Sequence, residues 1–281
     1  MTVSAYILVY NQASYLKEVI QSIINQTVPV QEILIIDDGS DSPLSNDLLT
    51  LNDSISIVRN PINCGRGYGR NLATNSLNAS LILSVDATNT IESSFVEKAI
   101  QYFGDPLVAA VYGRLHSHSY SGVINRWRAR HLFKEFQDVG ESGETDMLIT
   151  YGTLMRKSSC IKAGGYDPNL KYDEDIELGK RILASGHKIM GINSLKLLSI
   201  SKESVYSLFE RYARWYMDTV EKPSLKGYLH NIKASINPML FDDLKKRDIP
   251  SAFLSLLCPH FQLYFSIKMF LSRKIRRGNK I

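Results

Sequence analysis

The sequence predicts an α/β fold: a mostly parallel sheet with helices on both faces, followed by a helical C-terminal extension. Three observations carry this. Short apolar runs at residues 5–9, 33–36, 55–58 and 81–85 read as buried strands. Between them apolar residues recur at helical spacing, as in Leu16, Val19, Ile20, Ile23 and Ile24. From residue 204 onward the pattern is helical and aromatic, broken at Pro223 and Pro238. Strands alternating with helices imply right-handed crossovers and a sheet covered on both sides. The expected division is an α/β domain over 1–202 and a helical extension over 203–281.

Each element has its own signal. Residues 5–9 open the sheet, Ser14 is placed to cap the first helix, and Pro29 lies beyond its end. The run 33–36 ends in Asp37-Asp38-Gly39-Ser40. After 55–58 come a glycine-rich turn and a helix carrying Leu72 and Leu77, and 81–85 runs into Asp86. Strand-like segments at about 107–112 and 149–155 bracket a polar, aromatic region at 114–147. Beyond the turn Gly164-Gly165-Tyr166-Asp167-Pro168, the acids Asp173, Glu174 and Asp175 open a helix, where they complement the positive end of its dipole. In parallel sheets ligands bind outside the carboxyl ends of the strands, and Asn11, Asp37, Asp38 and Asp86 fall at those ends.

Composition narrows the classes. The chain has 281 residues, 44% apolar and 22% charged, with 9 Pro, so disorder, collagen and disulfide scaffolds are excluded. Cys64, Cys160 and Cys258 form no CxxC and no zinc spacing, which points to a reducing compartment. Lys and Arg number 33 against 28 acids, but Arg273, Lys274, Arg276, Arg277 and Lys280 supply the whole excess of five. The body is therefore formally neutral and no nucleic-acid partner is expected. The opening Met1 to Val9 lacks the basic flank and cleavage site of a signal peptide, so a cytoplasmic location is expected.

Several motifs admit both a plain and a chemical reading. Asp37-Asp38-Gly39-Ser40 is explained as a turn, and equally as carboxylates accepting from a base N–H or from ribose hydroxyls. Gly65-Arg66-Gly67-Tyr68-Gly69-Arg70-Asn71 has the wrong spacing and position for a dinucleotide fingerprint. It remains a flexible turn that places Arg66 and Arg70 near a helix N-terminus, suited to phosphate or a uracil edge. Asp86 is poorly explained by packing alone, because an unpaired buried charge costs several kcal/mol; capping by Asp86 or Thr88 competes with ion binding there. His116-Ser117-His118 reads as solvated surface. The 173–177 acids are either a charged first turn or the source of a general base.

The order of these motifs resembles the family 2 glycosyltransferases, which have the GT-A fold. The resemblance runs from about Ser4 to Trp215 through Tyr10-Asn11, Asn25-Gln26-Thr27, Asp37-Asp38-Gly39-Ser40, Asn71-Leu72-Ala73, Gly164-Gly165-Tyr166-Asp167 and Glu174-Asp175-Ile176-Glu177-Leu178, with Arg181-Ile182 and Gly186 after them. It implies a nucleotide-sugar donor, bound through Tyr10, Asn11, Asp38, Arg66 and Arg70. It implies Mg2+ or Mn2+ on Asp86, the first acid of the family's DxD motif, whose second acid is replaced here by Thr88. It implies Asp175 as the catalytic base, with Glu174 on the acceptor side. Arg211-Tyr212-Ala213-Arg214-Trp215 resembles the QxxRW motif with Arg for Gln, which puts Arg214 and Trp215 at the acceptor. The implied activity is inverting transfer of one sugar, from a UDP-sugar, to a glycan or lipid-linked acceptor in surface polysaccharide biosynthesis. A non-catalytic sugar-nucleotide or glycan binder is the alternative, and nucleotidyl transfer is disfavoured because it leaves Asp175 without a task.

Residues 252–271 are rich in Phe, Leu and Ile but are interrupted by Pro259, His260, Gln262 and Lys268. That suits an in-plane contact of 250–281 with an anionic cytoplasmic leaflet better than a membrane span. A buried terminal helix with a solvated basic end is the plain reading.

Overall fold

The computed structural model describes residues 1–137, 142–170, 173–216 and 223–278. Two compact units are found: Met1–His116 with Gly140–Ser201, and Ser117–Val139 with Lys202–Ile281.

The first unit is built on one mixed sheet. Its elements are β1 (Val3–Val9), α1 (Leu16–Ile24), β2 (Ile33–Asp37), β3 (Ile55–Arg59), α2 (Arg66–Ser76), β4 (Leu81–Asp86), β5 (Asn89–Ile91), α3 (Phe95–Ile100) and β6 (Val108–Ser117). The second unit begins with α4 (Val123–Trp127), after which the first adds β7 (Gly143–Thr145), β8 (Gly152–Arg156), α5 (Lys157–Lys162), α6 (Glu174–Ala184) and β9 (Lys188–Ser199). The strand order is β3-β2-β1-β4-β8-β6-β9-β5, with β7 beside β9. The pairs β1–β2, β2–β3 and β1–β4 are parallel. From β8 onward the pairing turns antiparallel. The sheet, expected to be mostly parallel, is parallel through its first four strands and antiparallel in the pairs that follow. Helices α1 and α2 make the β1–β2 and β3–β4 connections of this parallel part. β4 and β5 are separated by only Ala87 and Thr88, yet lie far apart in the strand order, so the sheet curls back on itself.

Register decides where the site lies. Val9 pairs with Asp37 and Leu8 with Asp86, so two carboxylates flank the carboxyl end of β1. The buried face of α1 (Leu16, Val19, Ile20 and Ile23) covers the sheet. Ser14 does not cap it: the helix is entered through a 3-10 turn at Ala13–Tyr15, and no side chain caps Tyr15. One core gathers Tyr6, Leu34, Ile36, Ala73, Leu77 and Ile82 under α2. Another gathers Ala110, Leu148, Met155, Tyr166, Leu178 and Ile182 under α6.

The second unit comprises α4, which continues into a π-helical turn at Arg128–Leu132, then α7 (Val205–Tyr216), α8 (Leu225–Ala234), α9 (Phe241–Lys245) and α10 (Ile249–Gly278). Trp127 is its centre, fully buried and edge-on to Phe209 and Tyr212 at 5.3 and 5.4 Å. A buried polar network ties α4 to the start of α10: Arg126 donates to Asp248 at 2.8 and 3.0 Å, Arg130 pairs with Asp243, and the Trp127 indole donates to Ser255 at 2.9 Å. Sequence periodicity gives no sign that 117–137 joins this unit, because its partners lie more than 100 residues away.

Candidate active site

Carboxylates at the ends of β2 and β4 frame the site, and the structure separates their tasks. Asp37, wholly buried, accepts from the Ser40 amide at 2.9 Å and from Arg59. Burial pushes its carboxyl up, but the Ser40 and Arg59 bonds outweigh this and hold it below the ordinary range. Asp38 accepts from Asn60 at 2.7 Å and from the amides of Cys64 and Gly65 at 2.9 Å, so it clamps the loop that leads into α2. Asn11, at φ +55°, donates its backbone amide to the Ser40 hydroxyl oxygen, and its side chain donates to the Asp41 carboxylate and accepts from the Asp41 backbone amide. It latches the ends of β1 and β2 together. Tyr10 beside it is exposed.

The glycine-rich segment is not the flexible turn expected. Helix α2 starts at Arg66 and contains Gly67 and Gly69. A Cβ at Gly67 would run into the Asp167 carbonyl, and one at Gly69 would lie 2.9 Å from Leu8, so these glycines permit close packing. Gly65, at φ +90°, is where the turn requires glycine. Asn71 donates to the Tyr166 carbonyl at 2.5 Å and accepts from its amide at 2.8 Å. Arg181 donates to the carbonyls of Ala163 and Gly165. Two distant motifs are thereby closed around the 164–167 turn. Arg66 is exposed, and its charge acts on Glu174.

Arg70 and Glu174 lie deeper than expected. Arg70 is 3% exposed; it donates to Glu174 at 3.0 Å and to Tyr6 and Ser84 at 3.1 Å. Glu174 is 1% exposed, so its carboxylate turns inward onto Arg70 instead of facing an acceptor. Arg70 is likewise held inside and not presented to a base. The reason is burial: each charge lacks water and is satisfied by the other. Burial raises the Glu174 carboxyl above the ordinary range, Arg70 opposes this, and the neighbouring Asp175 adds to it.

Asp175 is half-buried in the first turn of α6. Its Oδ2 accepts from Thr150 Oγ1 at 2.8 Å, and its Oδ1 receives the Ile176 amide at 3.0 Å. The Thr150 carbonyl accepts from Ser84, and the adjacent Tyr151 carbonyl accepts from the Asp86 amide at 3.3 Å. Asp86 and Asp175 are thus joined through Tyr151 and Thr150. Thr150 and Ser84 escaped the sequence reading, since a single Thr before a strand carries no signal until β8 pairs with β4.

The half-buried Asp86 carboxylate has no hydrogen bond or ion pair among the described residues. An oxygen donor left open at a strand end fits a hard divalent cation that takes its other ligands from water and phosphate. Thr88 is buried and lies two residues on; Asn89 directs its amide to the Tyr151 carbonyl at 3.1 Å. Among the described residues no three His, Cys, Asp or Glu side chains converge on a metal position. Arg214 and Trp215 lie on α7 in the second unit, where Trp215 meets Phe133 at 5.9 Å and is 41% exposed. His116 sits near the end of β6.

The sequence model of glycosyl transferase family 2 matches residues 4–164, more than half of the chain. The chain belongs to glycosyl transferase family 2. This family 2 chain is 25% identical over 202 residues to an O-antigen chain rhamnosyltransferase of Salmonella typhimurium, spanning 67% of this chain and 63% of that protein. It is 25% identical over 230 residues to an uncharacterized glycosyltransferase of Methanocaldococcus jannaschii, with 76% and 79% covered. Against hyaluronan synthase of Streptococcus pyogenes identity is 32% over 124 residues, 41% of this chain and 30% of the synthase. The chain thus spans less than two thirds of the rhamnosyltransferase and of the synthase. A mannosyltransferase from Pyrobaculum calidifontis in complex with GDP-Man and Mn2+ superposes with a TM-score of 0.59 at 13% identity, over 97% of this chain and 75% of that one. Residues 1–349 of S. aureus TarS give 0.57 at 15%, over 99% and 92%. These likenesses establish the GT-A fold. Asp175 lies beyond the segment matched by the family model.

Proposed function

We propose that this chain is an inverting glycosyltransferase that moves one sugar from a nucleotide-sugar, a UDP-sugar, to a hydroxyl of a glycan or lipid-linked acceptor in surface polysaccharide assembly. The observation that carries the reading is the link Asp86–Tyr151–Thr150–Asp175, which puts an open carboxylate and an oriented one at the same strand ends. The relatives' names and the sugar-nucleotide complex among the fold neighbours support it.

Asp175 takes the acceptor hydroxyl proton as that oxygen bonds to the anomeric carbon, and the bond from that carbon to the diphosphate oxygen breaks. The electron pair leaves on the nucleoside diphosphate. Mg2+ or Mn2+ on Asp86 would offset the charge gained by that leaving group. Arg66, exposed at the start of α2, is placed to face phosphate, and Tyr10 offers a ring to the base. Asp38 and Asn11 shape the base pocket through the loops they clamp. Glu174 and Arg70 support Asp175 from below, and Arg214 and Trp215 bind the acceptor. Residues 250–281 rest on the cytoplasmic membrane surface. Since Thr88 replaces the second acid, a chain that binds sugar nucleotides without turnover is the second reading.

The test is calorimetry with UDP, GDP, TDP and their sugar conjugates, with and without Mn2+, beside turnover by Asp175→Asn. A positioned base contributes about 10²–10⁴ in rate, so the variant should bind donor normally and lose that much kcat. Donor binding with no turnover by the unaltered chain toward any acceptor would favour the binding protein.

A further inference from the structure

Helix α10 is apolar on two opposite sides: one is buried in the unit, and the other is largely exposed, met by Tyr228 of α8 at His260 and by Tyr206 of α7 at Tyr264 among the described residues. Its inner side is buried: Leu254, Cys258 and Phe265 pack inward, and Ser251 and Ser255 join the network of Asp243 and Asp248. On the outer side, Ile249, Phe253, Leu256, Tyr264, Ile267 and Leu271 are each 43% to 64% exposed. With His260 between them they advance in steps of 4, 3, 4, 4, 3 and 4, close to the ~3.6 of a straight helix, so they hold one line about 33 Å long. Scattered exposed apolar residues are ordinary, but a continuous line of them marks a contact surface.

Charge identifies the occupant. Residues 249–281 contain no acid and six cations: Lys268, Arg273, Lys274, Arg276, Arg277 and Lys280. The side chains of 272–278 and the whole of Lys280 lie outside the described residues, so their contribution here is charge alone. An apolar stripe in a segment that carries six cations and no acid matches an anionic bilayer, where hydrophobic insertion and headgroup attraction act together. A spanning helix is incompatible with the buried Ser251 and Ser255 contacts, and among the described residues no helix is long and apolar enough to cross a membrane.

We infer that α10 lies in the plane of an anionic bilayer, with Ile249, Phe253, Leu256, Tyr264, Ile267 and Leu271 inserted and the inner side left packed on its unit. The inference rests on the membrane contact of residues 250–281 proposed above and names the side chains that make it. Deleting 250–281 would strip the core of the helical unit, so the test uses point variants of the full chain. The probe is flotation with phosphatidylcholine vesicles, with and without phosphatidylglycerol, for the unaltered chain, Phe253→Ser/Leu256→Ser/Ile267→Ser, and Leu107→Ser as a surface control. Circular dichroism and light scattering accompany each. Binding to the anionic vesicles only, weakened at least about tenfold in the triple variant with fold and mass unchanged, is the expected result. Undiminished binding by the folded triple variant would overturn the inference, as would a dimeric mass that falls to monomeric in that variant while vesicle binding persists. Hydrolysis of the donor sugar nucleotide, followed in parallel without lipid, should be equal in all three proteins. Its absence from all three, with flotation intact, would count against the proposed function and leave the bilayer contact standing.

Discussion

Thr150 Oγ1 donates a 2.8 Å hydrogen bond to Oδ2 of Asp175, while the Thr150 carbonyl accepts from Ser84 at the same distance. One buried residue therefore fixes the proposed base and ties it to β4, the strand that ends in Asp86. Thr150→Val keeps the shape and removes the donor. A hydrogen bond to a charged group contributes about 1.5–3 kcal/mol, so kcat should fall about tenfold or more while the donor KM stays nearly unchanged. Thr150→Ser should restore most of the loss; equal damage from both variants would show that Thr150 acts through packing alone.

The Arg70–Glu174 pair predicts an asymmetry. Both side chains are nearly inaccessible, and removing one partner of such a pair costs about 3–5 kcal/mol. Glu174→Gln leaves a guanidinium that cannot shed its charge. Arg70→Met leaves a carboxyl that burial already raises, and it can take up a proton. Denaturant titration should therefore find Glu174→Gln the more destabilising at neutral pH, with the difference widening against Arg70→Met as pH falls.

At the metal position, Asp86→Ala should abolish the Mn2+-dependent part of donor binding, since among the described residues no group of three His, Cys, Asp or Glu side chains converges to hold the ion without it. Thr88→Asp supplies the missing second acid and should tighten that dependence. Calorimetry across a Mn2+ series measures both. Donor affinity that ignores the ion in all three proteins would remove the metal from the mechanism.

Stability of the helical unit should fall in acid through Asp248. Bonds from the Arg126 guanidinium, with further bonds from Ser251, hold this carboxyl well below the ordinary range. A depressed folded pKa gives stability that is present above the unfolded value of about 4 and is lost as pH falls below it. The urea midpoint should drop between about pH 6 and about pH 3 by more in the unaltered chain than in Asp248→Asn. Parallel curves would mean that other carboxylates govern the acid limb.

Much of the first unit was legible because its signals are local. The four parallel strands show as apolar runs, and Asp37 and Asp86 stand at their ends, where register then sets them beside β1. The family resemblance is likewise a matter of short motifs in order, and the match over residues 4–164 bears it out. Less legible was what each charged group does. Asn11 and Asp38 look like ligands and are also latches, while Gly67 and Gly69 look like a phosphate loop and serve helix packing.

The sequence by itself determined the fold class, the strand-end carboxylates, the family and the cationic end of the chain, because periodicity and residue type are written along the backbone. Only the tertiary structure decided that Glu174 turns inward onto Arg70, that Thr150 orients Asp175, that 117–137 packs with residues beyond 202, and that α10 keeps one apolar side largely exposed. These depend on which groups lose their water and which partners then remain within hydrogen-bonding reach. That is settled by pairings between residues from 25 to more than 100 positions apart, which no local pattern encodes.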